Sequence, residues 1–132
     1  MKKSLLLIIL ILFCISCKNK VEQKLIGLWT IDVIDAPRLS ENLLTNMVSF
    51  KKDGTCLLPT TINDPIGKGT WMLNEKDSTI TIKTDKNPLA GSYSFVFQKD
   101  EKNKLFKLIL KSKDISLRCS KGLFNFDKDK NF

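Results

Sequence analysis

The feature that most constrains this chain is alternation. From residue 26 onward, short segments carry an apolar side chain at every second position, and polar turns rich in Gly, Pro, Asn and Asp separate them. Successive strand side chains point to opposite faces, so each segment reads as a strand with one buried side. Residues 26–34 place Trp29, Ile31 and Val33 on one face and Thr30 and Asp32 on the other. Ile80 and Ile82 alternate with threonines, and Tyr93, Phe95 and Phe97 share a face within 92–98. Phe106, Leu108 and Leu110 do so within 105–111, and Ile115, Leu117 and Cys119 within 115–120. Further strands start at Met47, Thr55 and Gly69, the last turning Trp71 and Leu73 inward. No segment keeps a helical period for more than two turns. Residues 38–46 read either as a short helix, with Ser40 as its cap and Leu43 and Leu44 as its apolar side, or as a loop.

The connections are short enough for sequential antiparallel neighbours. Asp53-Gly54 marks a hairpin between the second and third strands. A two-residue loop would pair Phe50 with Leu57. A three-residue loop with a left-handed Gly54 would pair Phe50 with Cys56, and the pattern around it favours this register. A meander leaves two open edges unless it closes on itself. Eight strands can close, with an interior filled by side chains or holding one small ligand. The expected fold is all-β: a small, eight-stranded, antiparallel up-and-down barrel following an N-terminal signal helix. The tail from Lys121, with Phe124, Phe126 and Phe132, is expected to add an edge strand or cap an end. At 132 residues the chain has the length of one domain.

Residues 1–16 read as an address rather than as part of the fold. Lys2 and Lys3 precede an uncharged run from Leu5 to Ile15. A helix needs about 20 apolar residues to span a bilayer, so this run fits a secretory signal instead. Its end, Ile15-Ser16-Cys17, resembles a bacterial lipobox, with Cys14 where leucine is usual. The resemblance implies cleavage before Cys17 and a lipoprotein whose Cys17 thiol carries a diacylglycerol, with acyl chains of the palmitate class. Residues 17–24 then form a tether and residues 25–132 the barrel domain. Lys18 stands where an aspartate would retain such a protein in the inner membrane. The expected location is the outer membrane of a Gram-negative envelope, on its periplasmic face.

The remaining chemistry is sparse. The chain has no histidine, which removes Ser-His-Asp, Cys-His and His-based metal chemistry. Its carboxylates, among them Asp32, Asp53, Asp64 and Glu75, fall in turns or on outward strand positions, where aspartate usually bonds its own backbone. Neither an enzyme, a cofactor nor a metal is expected. Net charge is +8, but acidic residues interrupt the lysines and only Arg38 and Arg118 are arginines. Arginine is the preferred reader of bases and phosphates, so nucleic acid is not the expected partner. Beyond the signal and Cys17, two cysteines remain, Cys56 and Cys119. Outside the cytoplasm such a pair is a possible disulfide; the alternative is two small buried apolar residues.

Three local patterns make the chain resemble the bacterial lipocalin-like domains. They are Gly27-Leu28-Trp29 at the first strand, Phe50-Lys51-Lys52-Asp53-Gly54-Thr55 at the hairpin, and Gly69-Thr70-Trp71-Met72-Leu73 with its partner strand Ser78–Ile82. The resemblance spans most of residues 24–120. It implies that Trp29, following Gly27, plugs one barrel end and that Arg118 packs over it. It also implies a small hydrophobic ligand inside, against Trp71, Ile80, Ile82, Tyr93, Phe95, Phe97, Phe106 and Leu108. The chain is short for a lipocalin and has no room for the long C-terminal helix. The expected protein is therefore a membrane-anchored monomer that binds such a ligand. The other reading is a solid barrel working through its loops as an interaction module, an inhibitor or envelope accessory.

Overall fold

A computed structural model describes residues 20–36 and 43–122, and Lys3 in isolation. The signal, Cys17, residues 38–42 of the segment read as helix or loop, and the tail phenylalanines lie outside the described residues. Eight strands form: β1 (Gly27–Asp35), β2 (Met47–Phe50), β3 (Thr55–Leu57), β4 (Lys68–Asn74), β5 (Thr79–Lys83), β6 (Gly91–Asp100), β7 (Leu105–Lys111) and β8 (Ser116–Gly122). Each pairs antiparallel with its sequence neighbours, and β8 returns to β1, closing the barrel.

Alternation places the core where it was expected. Trp29, Phe50, Ile80, Tyr93, Leu108, Leu110 and Leu117 are each no more than 1% exposed and belong to one cluster. Burying a large apolar side chain contributes about 1.5–3 kcal/mol, so this interior is the main source of stability. The β2–β3 hairpin takes the three-residue loop. Phe50 pairs with Cys56, and the Lys51 N–H donates to the Thr55 carbonyl. Gly54 sits at φ +84°, a conformation that costs any residue with a Cβ. Asp53 Oδ1 accepts both the N–H and the hydroxyl of Thr55, which locks the turn.

One inward residue was misassigned. The β1–β8 register slips between Ile31 and Val33, so that Asp32 is an extra residue opposite β8. This bulge turns Val33 outward, 49% exposed, and gives its inward place to Ile34. The segment 43–46 is not helical: Leu43 bridges to Thr61 and the Leu44 N–H donates to the Thr60 carbonyl.

Chain direction sorts the connections to two ends. The β2–β3, β4–β5 and β6–β7 turns share the end at which β1 begins and β8 finishes. Residues 20–25 are helical and pack over that end, although residues 17–24 were expected to be a tether. The connections around 58–67, 84–90 and 112–115 share the other end with residue 36 and residues 43–46.

Candidate functional site

The helix-capped end is built around Trp29. Its indole N–H donates to the Leu25 carbonyl at 2.8 Å, and Leu25 is itself fully buried. The Ile26 N–H closes the helical turn on the Glu22 carbonyl. Gly27 then turns the chain into β1 at φ +131°, which explains a glycine before this tryptophan.

The cation over Trp29 is Lys121, not Arg118. Lys121 Nζ lies 4.4 Å from the Trp29 ring centroid and donates to the carbonyls of Lys24 at 2.6 Å and Ile26 at 3.2 Å. Burial pulls its pKa down from 10.5 to about 8. Arg118 is exposed on the outer wall, opposite Val33 and Ile109. Strand parity explains the difference. Pairing with Phe106 places Lys121 on the inward face, and Arg118 lies an odd number of positions away. Arg118 instead helps line a groove of about 340 Å³ on the outer wall beside the bulge, with Asp32, Gln98 and Lys107.

The eight residues expected against a ligand separate into three groups. Ile80, Ile82, Tyr93 and Leu108 are at most 2% exposed and Phe95 is 9% exposed, all within the core cluster. The Tyr93 hydroxyl donates to the Leu89 carbonyl at 2.9 Å, and burial pushes its pKa up to about 12. Phe97 and Phe106 are only partly buried and stack on each other at 5.3 Å near the helix-capped end. Phe106 continues to Trp29 at 5.9 Å, and Lys24 Nζ lies 5.8 Å from the Phe97 centroid.

Trp71, the eighth, also belongs to the core cluster, 7% exposed, and borders a cleft with the little surface it has left. This cleft has a volume of about 730 Å³ and opens to solvent beside the helical turn. It wraps the β4–β5 turn: Trp71 and Leu73 border it from the inward face, Met72 and Thr81 from the outer face, and Glu22, Glu75 and Lys76 bring charges to it. The Trp71 indole is fixed: its N–H donates to the Lys51 carbonyl at 2.9 Å, and its ring meets Phe50 at 5.2 Å. The volume lies within the range of small-molecule sites, roughly 300–1,000 Å³. Sequence reasoning missed Leu73 as a site residue, although it shares the inward face of β4 with Trp71. It missed Glu22 because residues 17–24 read as a tether.

Cys56 and Cys119 are free and buried, so the possible disulfide is absent. They lie on β3 and β8, three strand spacings apart along the wall. At about 4.8 Å per spacing they exceed the reach of a disulfide, about 7 Å between Cα atoms. Burial pushes their thiols up to about 11 and about 12. Both therefore act as small apolar residues. Among the described residues, no three acidic or cysteine side chains gather as a metal site.

Comparisons with protein-family models, with curated proteins and with solved structures return no match.

Proposed function

We propose that this protein is a lipid-anchored envelope lipoprotein whose lipocalin-like barrel binds a small hydrophobic or amphipathic molecule in the cleft at its helix-capped end. The observation that carries this reading is the cleft itself: an apolar floor of Trp71 and Leu73 beside charged margins, in a barrel whose deeper interior is packed. The ligand's apolar part lies against Trp71 and Leu73 and its polar part stays at the margin. Ile82 and Ile80, the β5 partners of Trp71 and Leu73, lie behind the floor, and with Tyr93 and Leu108 they stay away from the ligand. The anchor reading is supported by the signal-like run and Ile15-Ser16-Cys17.

The test is a titration with an environment-sensitive apolar dye, alongside mass spectrometry of small molecules that co-purify with the native protein. Saturable dye binding is expected, weakened at least tenfold by Leu73→Arg. Absence of saturable binding to the folded protein overturns the ligand reading. Cys17→Ser is expected to move the protein from the membrane fraction to the soluble envelope fraction.

A second reading has its own observation. Leu44, Ile62 and Ile66 are 63%, 73% and 66% exposed on the connections at the opposite end. Exposed apolar side chains on loops favour an interaction surface, and loops carry function disproportionately. A barrel that binds no dye but loses a cross-linked envelope partner in an Ile62→Asp, Ile66→Asp variant would favour the interaction module.

A further inference from the structure

We infer that the cleft accepts an extended peptide, which adds to the barrel as a strand along a free stretch of the edge of β4. The inference rests on the ligand reading of the cleft and names the chemical class of its ligand.

The first argument is an unfinished ladder. β3 has three residues and β4 seven. The β3 partners of β4 stop at Thr70, whereas β5 accompanies β4 to Asn74. Past Thr70 the Trp71 N–H donates to the Gly54 carbonyl at 2.9 Å, and there the β3 side ends. In an antiparallel strand the N–H and C=O of one residue point to the same edge, and those of the next residue to the other. Trp71 and Leu73 therefore present their backbone groups toward the β3 side, and Met72 and Asn74 toward β5. The Gly54 N–H is taken by the Lys51 carbonyl. Among the described residues, nothing pairs with the Trp71 C=O or with the N–H and C=O of Leu73. A closed barrel otherwise leaves no edge, and open edges are where extended peptides add.

The second argument is the shape of the cleft. It touches Trp71 and Leu73 on the inner face of β4, Met72 on the outer face, and Gly54 where β3 gives out. It thus passes around the free edge. An added strand needs space on both faces, because its side chains alternate between them. In the antiparallel arrangement of the neighbouring pairs, the peptide residue opposite Leu73 exchanges both bonds with it. The side chain of that residue points inward beside Trp71 and Leu73, and its neighbours point outward beside Met72. The occupant is a proline-free segment with apolar side chains at alternate positions.

The third argument is charge. Glu22 and Glu75 outnumber Lys76 in the lining. The adjoining turns add Lys51 and Lys52 against Asp53 and Asp77, which cancel. Lys24, with Lys20 one helical turn before it, is directed to Phe97. A basic residue beside the apolar positions completes the match.

The experiment titrates a capped peptide, acetyl-KVTVT-amide, into isotope-labelled full-length protein and follows amide exchange by NMR. Saturable binding is expected, with exchange of the Leu73 N–H slowed about tenfold or more and that of Met72 and Asn74 unchanged. N-methylation of the valines, whose nitrogens face β4, should weaken binding about tenfold or more, and N-methylation of the threonines should be tolerated. Equal loss from both sets, or binding without protection of Leu73, overturns strand addition. Slow Leu73 exchange before peptide is added, quickened by dilution or by deletion of residues 123–132, gives the edge to a second copy or to the chain's own tail and also overturns it. An apolar dye titrated into the same sample separates the two readings. Dye binding without peptide binding removes the peptide and keeps the cleft as a ligand site, and loss of both removes both.

Discussion

The two ends of this barrel are closed by different means. At the helix-capped end one large side chain fills the opening. Trp29 is fully buried, with Leu25 above it and Lys121 across its face. At the other end, loops cover the opening and side-chain bonds to their backbones hold them. Asn87 Nδ2 donates to the Pro59 carbonyl at 2.8 Å and to Asp64 Oδ2 at 3.0 Å, while its Oδ1 accepts the Leu89 N–H. Tyr93 ties Leu89 from inside, and Asp64 Oδ1 accepts the Gly67 N–H. A side-chain plug concentrates stability in one residue, and the cleft lies at the same end along β4 and β5. A bonded loop cover distributes stability over several modest interactions.

The contrast predicts unequal losses. Trp29→Ala removes the plug and leaves a void that neighbouring aromatics do not fill, at a cost of about 3–5 kcal/mol. Urea unfolding should show a large drop in midpoint, and a drop below about 1.5 kcal/mol would mean that Leu25 and Lys121 close the end without it. At the loop-covered end, Gly67→Ala is the next largest. Gly67 has φ +64°, and a Cβ there would overlap the Leu58 carbonyl oxygen. Left-handed backbone alone costs about 1–2 kcal/mol, so a loss of about 2 kcal/mol or more is expected. Asn87→Ala should cost about 1–3 kcal/mol, because it leaves the buried Leu89 N–H and Pro59 carbonyl without this partner. Hydrogen exchange should then quicken around residues 59–67 and 87–90 and not around residues 20–29. Equal quickening at both ends would show that the two closures are one cooperative unit.

The same contrast marks what the chain disclosed before it folded. Strands whose inner face is buried alternate cleanly, so all eight were legible, and the Asp53-Gly54 turn pointed to the register of β2 and β3. The bulge was not legible, because Ile31, Asp32 and Val33 alternate as an unbroken strand would. Only the adjacent pair Val33-Ile34 hints that two consecutive residues compete for one inward place. The plug was half legible. Trp29 follows a glycine that the turn requires, but its cation was sought one residue type and three positions away, at Arg118 instead of Lys121. Lysine at the start of a polar tail carries no pattern, and its inward direction follows only from pairing with Phe106. Residues 20–24 were read as a tether because their helical conformation is tied to Val21 and Leu25 packing on the barrel, which no local pattern announces. Asn87 resembled any turn asparagine, since its partners at Pro59 and Asp64 are remote in sequence. The cleft is a property of how these ends meet, which periodicity does not encode.

The smallest change at neutral pH should come from Lys121→Met, and it sharpens the comparison through its pH dependence. The substitution loses two bonds to the Lys24 and Ile26 carbonyls but also removes a desolvated ammonium, so the two effects offset. In the folded barrel Lys121 titrates near pH 8, against 10.5 for an ordinary lysine. Between those values the unfolded chain holds the extra proton, so this group makes stability rise with pH. Cys56, Cys119 and Tyr93 work in the opposite sense, because their pKa values are pushed up to about 11, about 12 and about 12. The folded state keeps those protons after the unfolded chain begins to release them near pH 9 for the thiols, so their contribution falls as pH rises further. The wild type should therefore gain stability between about pH 8 and 9 and lose it above, whereas Lys121→Met should lack the rise and keep the fall. Melting temperatures across that range would decide it. A rise that persists in the variant would assign the pH dependence to a group outside the helix-capped end, and the plug would then be Trp29 and Leu25 alone.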